Sequence, residues 1–221
     1  MKDEQYRLMP MLFGLTLVSG LIDAVTFLHF NHVFVANMTG NIVLLGFAFA
    51  GAKSISIAGS LVALAAFMIG AAAGGRFGRA HGGNGAQLLS VVTLAKILLV
   101  FAAAVVAAFG SSHPFAYAII ALLAVSMGLQ NAAVRSLSVP DITTTVITGT
   151  LTGIAADSIF ARGNNVRWRR RLGSVVVMFA GALLGAVLLF RFGDSVTLGT
   201  AALVLVAVSL WAWRLRSATQ P

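Results

Sequence analysis

The chain contains no cysteine. A disulfide framework, a thiol nucleophile and a thiolate metal site are therefore excluded. Charge is scarce too: charged residues make up 10% of the 221 positions, against about 25% in soluble domains. Long polar stretches are missing as well. The longest connections, RFGRAHGGNGAQ from Arg76 and ARGNNVRWRRRLG from Ala161, leave no room for a soluble domain. No zincin motif, nucleophile elbow or phosphate loop occurs, so no catalytic residue, metal site or cofactor is assigned. Nor does any run alternate apolar and polar residues over the roughly ten positions of a transmembrane β-strand.

What is present is apolar. Hydrophobic residues account for 59% of the chain, and the mean hydropathy is +0.95. Apolar segments fall near 9–29, 33–51, 55–75, 88–109, 115–136, 142–161, 172–192 and 195–213. Each is close to the roughly 20 residues that cross about 30 Å of hydrocarbon. The expected fold class is all-α, a polytopic helical membrane bundle forming a single integral membrane domain over 1–221. Lys2 and Arg7 ahead of MLFGLTLVSGLI mimic a signal peptide, but the run continues to Phe30 without a small-residue cleavage site and reads as a retained first helix. The net charge of +9 comes from arginines between apolar runs, the pattern of cytoplasmic loops rather than of nucleic-acid binding.

Two halves are legible. SGLIDAVTFL from Ser19 aligns with MGLQNAAVRSL from Met127, placing Gly20 opposite Gly128 and Asp23 opposite Asn131. FMIGAAAG from Phe67 aligns with MFAGALLG from Met178, and Thr39-Gly40 with Thr148-Gly149. The offsets are 108, 111 and 109 residues, which suggests homologous halves at about 8–110 and 114–216. GAAAG and GALLG are also small-residue faces that let helices approach closely in lipid. Charge separates two topologies. With eight crossings, ten Lys and Arg lie inside and four outside; with the second and sixth segments entering and leaving on one side, twelve lie inside and two outside. The positive-inside rule thus favours six full spans plus two broken or re-entrant segments, with cytoplasmic termini and inverted halves.

Those two segments carry ANMTGN from Ala36 and VITGTLTGIA from Val146. Non-helical backbone inside a membrane needs hydrogen bonds from protein or a water-filled cavity. Gly40 and Gly149 permit unusual dihedrals, while Asn37, Thr39, Asn41, Thr143, Thr144, Thr145, Thr148 and Thr150 supply polar groups. Paired breaks of this kind would meet near the midplane and offer helix N-termini to an anionic or carbonyl-bearing solute. The plainer reading is interhelical hydrogen-bond glue around a softened kink.

Asp23 lies deep in the first apolar run, where a carboxylate needs a partner. It is read as coupling a proton, holding a cation or touching solute, or alternatively as a fixed bridge. Gln130 and Asn131 face it in the alignment, and Asn131 is expected to approach it near the symmetry axis. Asp157 is expected to pair with Arg162, and Lys96 to snorkel or to neutralise an aspartate. His29 and His32 read as interfacial residues rather than metal ligands.

The run GLIDAVTFLHFNHVFVANMTGNIVLLG from Gly20, with GLQNAAV and TTTVITGTLT farther on, resembles the YoaK family, bacterial multi-pass membrane proteins that carry a domain of unknown function. The resemblance covers nearly the whole chain. It implies an inner-membrane location and no substrate. The functional expectation is a small-solute transporter or channel, with Asp23, Asn37, Thr39, Gly40, Asn41, Gln130, Asn131, Thr148, Gly149 and Thr150 at its site. A non-transporting membrane scaffold is the alternative, and an intramembrane enzyme a more distant one. The expected partners are the lipid bilayer, an unidentified small solute and, as an option, further copies of the chain in a homo-oligomer.

Overall fold

The computed structural model describes residues 2–80, 85–110, 112–137, 147–165 and 167–217, without the side chains of 2–7, 113 and 212–217. Among these residues the fold is entirely helical: α1 (Lys2–His29), α2 (Met38–Phe49), α3 (Ile57–Ala80), α4 (Gly85–Phe109), α5 (His113–Ser136), α6 (Thr148–Ala156) and α7 (Trp168–Ser217), with a 3₁₀ turn at Ile159–Ala161. A chain this apolar has little alternative, because lipid offers no partner to an unbonded backbone amide. Five helices, α1, α3, α4, α5 and α7, are long and apolar enough to cross a membrane.

The other two are too short. α2 has 12 residues and α6 has 9, about 18 and 14 Å of helix at 1.5 Å per residue. Neither spans roughly 30 Å of hydrocarbon. α7 has the opposite problem, since its 50 residues would extend about 75 Å if straight. Gly193 resolves it, with φ 79° and ψ −178°, a conformation open essentially to glycine alone. The break divides α7 into pieces at 168–192 and 194–217. Six long helical pieces and two short ones thus occupy the eight apolar segments of the sequence.

The centre of the bundle is α1 with α5. Their most apolar stretches are 67% and 61% buried, against 33%, 33% and 22% for α3, α4 and α7. These two helices run in opposite directions. Ser19, midway along α1, meets Met127 and Gln130 near the end of α5, whereas His29 and Phe30 share a small cavity with Ser112, Tyr117 and Ile120 at its beginning. The outer helices turn apolar side chains outward, with Phe109, Phe190 and Ile69 all well exposed for lipid.

Each central helix packs closely along one partner. Gly20 of α1 rests on the backbone of Met178 and Ala182, and Gly181 and Gly185 of α7 rest on Leu17 and Leu21. On the other side Gly128 of α5 rests on Phe67 and Ala71, while Gly70 and Gly74 of α3 rest on Val125 and Leu129. Every residue of one set lies 108 or 111 positions from its counterpart in the other. A Cβ at Gly20 would fall 2.5 Å from the Met178 carbonyl oxygen, so these crossings exist only because the side chain is hydrogen. Without a hydrophobic force between helices in lipid, this close backbone packing is a main source of cohesion.

A cavity between two short helices

The opening of the first half-helix is built from residues singled out by the sequence. After α1 the chain reverses through Asn31 and His32, both left-handed at φ 54° and 60°, and returns into the protein. Val33, Val35 and Ala36 are then buried in non-helical backbone. Their polar groups find side chains instead of water. Asp23 Oδ1 accepts from the amides of Val35 and Ala36, each at 3.0 Å. Asn41 takes both sides of Phe34: its Oδ1 accepts from the Phe34 amide at 2.9 Å, and its Nδ2 donates to the Phe34 carbonyl at 2.5 Å. Asn37 Oδ1 accepts from the Gly40 amide at 3.2 Å and caps α2.

Beside this segment lies a cavity of about 320 Å³. Gly20 and Asp23 line it from α1, Phe34 and Asn37 from the returning segment, Ile147, Thr148 and Leu151 from the start of α6, and Met178 and Ala182 from α7. The N-cap residue of α2 and the first turn of α6 therefore border one space. α2 is capped by Asn37, whereas the corresponding position of α6 is Ile147, whose side chain has no acceptor. Both side-chain hydrogen bonds of Asp23 fall on Oδ1 and neither on Oδ2, and the residue lines the cavity.

A second polar cluster sits deeper. Lys96 is wholly buried, donates to Gln130 Oε1 and lies 3.5 Å from Met127 Sδ. Gln130 Nε2 donates to Ser19 Oγ at 3.2 Å, which joins α4, α5 and α1. Lys96 and Asp23 are both buried and are not in ion-pair contact. Lys96 therefore does not snorkel as the sequence suggested; Gln130 and Met127 draw its ammonium inward. The Asp23 side chain accepts from the amides of Val35 and Ala36 rather than bonding to Asn131. The residues that meet where α1 crosses α5 are Ser19 and Gln130, because Asp23 is turned toward the backbone at 35–36.

Of the residues expected at a site, the structure gathers Asp23, Asn37 and Thr148 around the cavity. Asn41 and Thr150 are buried, Thr39 and Gly149 are exposed, and Gln130 belongs to the Lys96 cluster. Gly40 and Gly149 sit within the first turns of α2 and α6, and neither has a positive φ. Ahead of Thr39-Gly40 the unusual dihedrals fall earlier, at Asn31 and His32, because the chain reverses there. Thr143, Thr144 and Thr145 lie outside the described residues.

Two aspartates also find partners that the sequence reading did not name. Asp157 pairs at 2.5 Å with Arg171, not Arg162, because α7 packs against α6 and carries Arg171 to the end of α6. His29 Nδ1 lies 2.5 Å from Asp194 Oδ1, a partner 165 residues away that no local pattern marks. Among the described residues no group of three or more His, Asp or Glu side chains is placed to hold a metal ion. Gly20, Phe34, Met178 and Ala182 were missed as cavity walls. The recurring 108-residue offset is the signal that marks Gly20 in advance.

The model of one protein family, "Protein of unknown function (DUF1275)", matches residues 11–211. The chain belongs to this family. The DUF1275 region takes in the cavity, both short helices and the Lys96 cluster. The chain is also 33% identical over 144 residues to "UPF0700 transmembrane protein YoaK" of Bacillus subtilis (strain 168), a match over 65% of this chain and 64% of that protein. The match thus spans a little under two thirds of that relative's length. The YoaK-family resemblance read from the sequence is shown by these two findings. No solved structure matches.

Proposed function

We propose that this protein carries a small polar solute across the bacterial inner membrane through the cavity at Asp23. The observation that carries the reading is the convergence of two half-helix N-termini and a buried carboxylate on one space of about 320 Å³. Half-helices meeting at a polar site are the common construction of transporters with repeated halves. Here the halves are read as homologous and inverted, at about 8–110 and 114–216. The antiparallel course of α1 and α5 and the glycine contacts repeated at offsets of 108 and 111 support that reading. Six crossings with two re-entrant segments, cytoplasmic termini and no catalytic step complete the proposal. It agrees with the twelve-to-two distribution of basic residues.

One observation favours a static scaffold instead. The hydrogen bonds of Asp23, Asn37 and Asn41 to backbone all go to the returning segment and α2, as glue requires. Access to the cavity separates the two. In this cysteine-free chain, Ala182→Cys and Leu151→Cys are treated with methyl methanethiosulfonate in proteoliposomes. A transporter predicts modification at rates well above those of a buried control such as Ala124→Cys. Protection of both positions at the level of that control would leave the scaffold standing.

A further inference from the structure

Resting on the transport reading, we infer that the cavity at Asp23 selects a small zwitterion, with its cationic group at Asp23 Oδ2 and its carboxylate at the N-terminus of α6.

Two parts of the cavity wall differ in sign. One is Asp23, only 7% exposed, with both protein hydrogen bonds on Oδ1. An acceptor oxygen so deeply placed calls for a donor, and an ammonium is the strongest available. The other is the first turn of α6. Its amides carry the positive end of the helix dipole, and Ile147 supplies no capping oxygen against them. Thr148 adds a hydroxyl at the same place on the cavity wall. A carboxylate fits there for the reason that anions bind helix N-termini generally. Phe34, Met178 and Ala182 add apolar wall, suited to a short carbon skeleton.

Net charge points the same way. Lys96 is fully buried in the same bundle as Asp23, and their formal charges are opposite. As a pair they carry no net charge. A solute that is purely a cation or purely an anion would leave an uncompensated charge inside the bundle, which low dielectric makes costly. A zwitterion leaves the sum at zero while satisfying both the carboxylate and the helix start.

Three solutes of similar skeleton test this: alanine, ethylamine, which lacks the carboxylate, and propionate, which lacks the ammonium. Each is added while Ala182→Cys or Leu151→Cys protein is modified by methyl methanethiosulfonate in proteoliposomes. At saturating concentration alanine is expected to slow modification about tenfold, and the other two to leave it nearly unchanged. Charge variants sharpen the result. Lys96→Met leaves Asp23 without its counter-charge and is expected to transfer protection from alanine to ethylamine. Asp23→Asn, which keeps an acceptor for Val35 and Ala36, is expected to transfer it to propionate. Protection by ethylamine or propionate equal to that by alanine in the unaltered background overturns the inference, as does no protection by alanine at thiols that still react. So does an unchanged preference in both charge variants. In those cases the transport reading survives; thiols that do not react at either position remove both.

Discussion

His29 Nδ1 and Asp194 Oδ1 stand 2.5 Å apart, joining the last residue of α1 to the first residue beyond the Gly193 break in α7. Asp194 is 9% exposed, so this contact is its main compensation for leaving water. Because the His29 side chain is 49% exposed, the pair is screened on one side and worth less than a buried one. Replacing His29 by alanine is expected to cost about 1 kcal/mol, near the usual value for one hydrogen bond. Asp194→Asn, which keeps hydrogen bonding and removes the need for a counter-charge, is expected to cost less. Thermal unfolding of the detergent-purified variants checks the order; equal losses would mean the contact is incidental.

The Thr-Gly pairs lie at helix starts, so their glycines should differ from those at the crossings. A Cβ at Gly149 meets nothing within 4 Å, and the residue is helical. Gly149→Ala should therefore be neutral or stabilising by up to about 1 kcal/mol, since alanine is the better helix former. Gly20→Ala and Gly128→Ala push backbone against backbone and should cost at least about 1–3 kcal/mol, the range of overpacked cores. Gly40 lies between, because its Cβ would press on Asn37 Nδ2 at 2.9 Å, the movable end of a side chain. Expression level and unfolding temperature rank the four.

Asp23 and Asp157 should part company under mutation. Asp23→Ala strands the amides of Val35 and Ala36 in an apolar interior, at about 1–3 kcal/mol for each unsatisfied donor. Asp23→Asn retains the acceptor and should keep most of that stability. Asp157 is 49% exposed in its pair with Arg171, so Asp157→Asn should change stability little. Unfolding temperatures that fall equally for Asp23→Asn and Asp23→Ala would refute the backbone role.

Orientation is open to direct labelling. Ser54, Arg79 and Arg162 are all exposed. With six crossings, Ser54→Cys should react with an impermeant reagent on intact cells, whereas Arg79→Cys and Arg162→Cys should react only after permeabilisation. Outside labelling near Arg79 would instead require eight crossings.

Much of the fold is legible in the sequence because in lipid one quantity dominates. The length of an apolar run decides where a helix forms, and polar residues within a run must be met by protein. Both rules are local, so ANMTGN reads as an interruption from its own residues and their apolar flanks. The partner of each polar group is less accessible. Asn41 binds Phe34, seven residues away, and Asp23 binds backbone 12 and 13 residues away. The alignment of the halves instead turns Asp23 toward Asn131, because it supplies correspondence between positions and not the direction of a side chain.

The amino-acid sequence by itself determined a helical membrane protein, the places where its helices are interrupted, and the residue types gathered at those places. Only tertiary structure decided that Lys96 turns inward to Gln130, that Arg171 rather than Arg162 meets Asp157, and that His29 meets Asp194 at a separation of 165 residues. Run length and composition are properties of a segment and act before packing. A buried charge chooses its partner only after helices distant in the chain lie side by side, and here hydrogen-only glycine crossings set which helices those are.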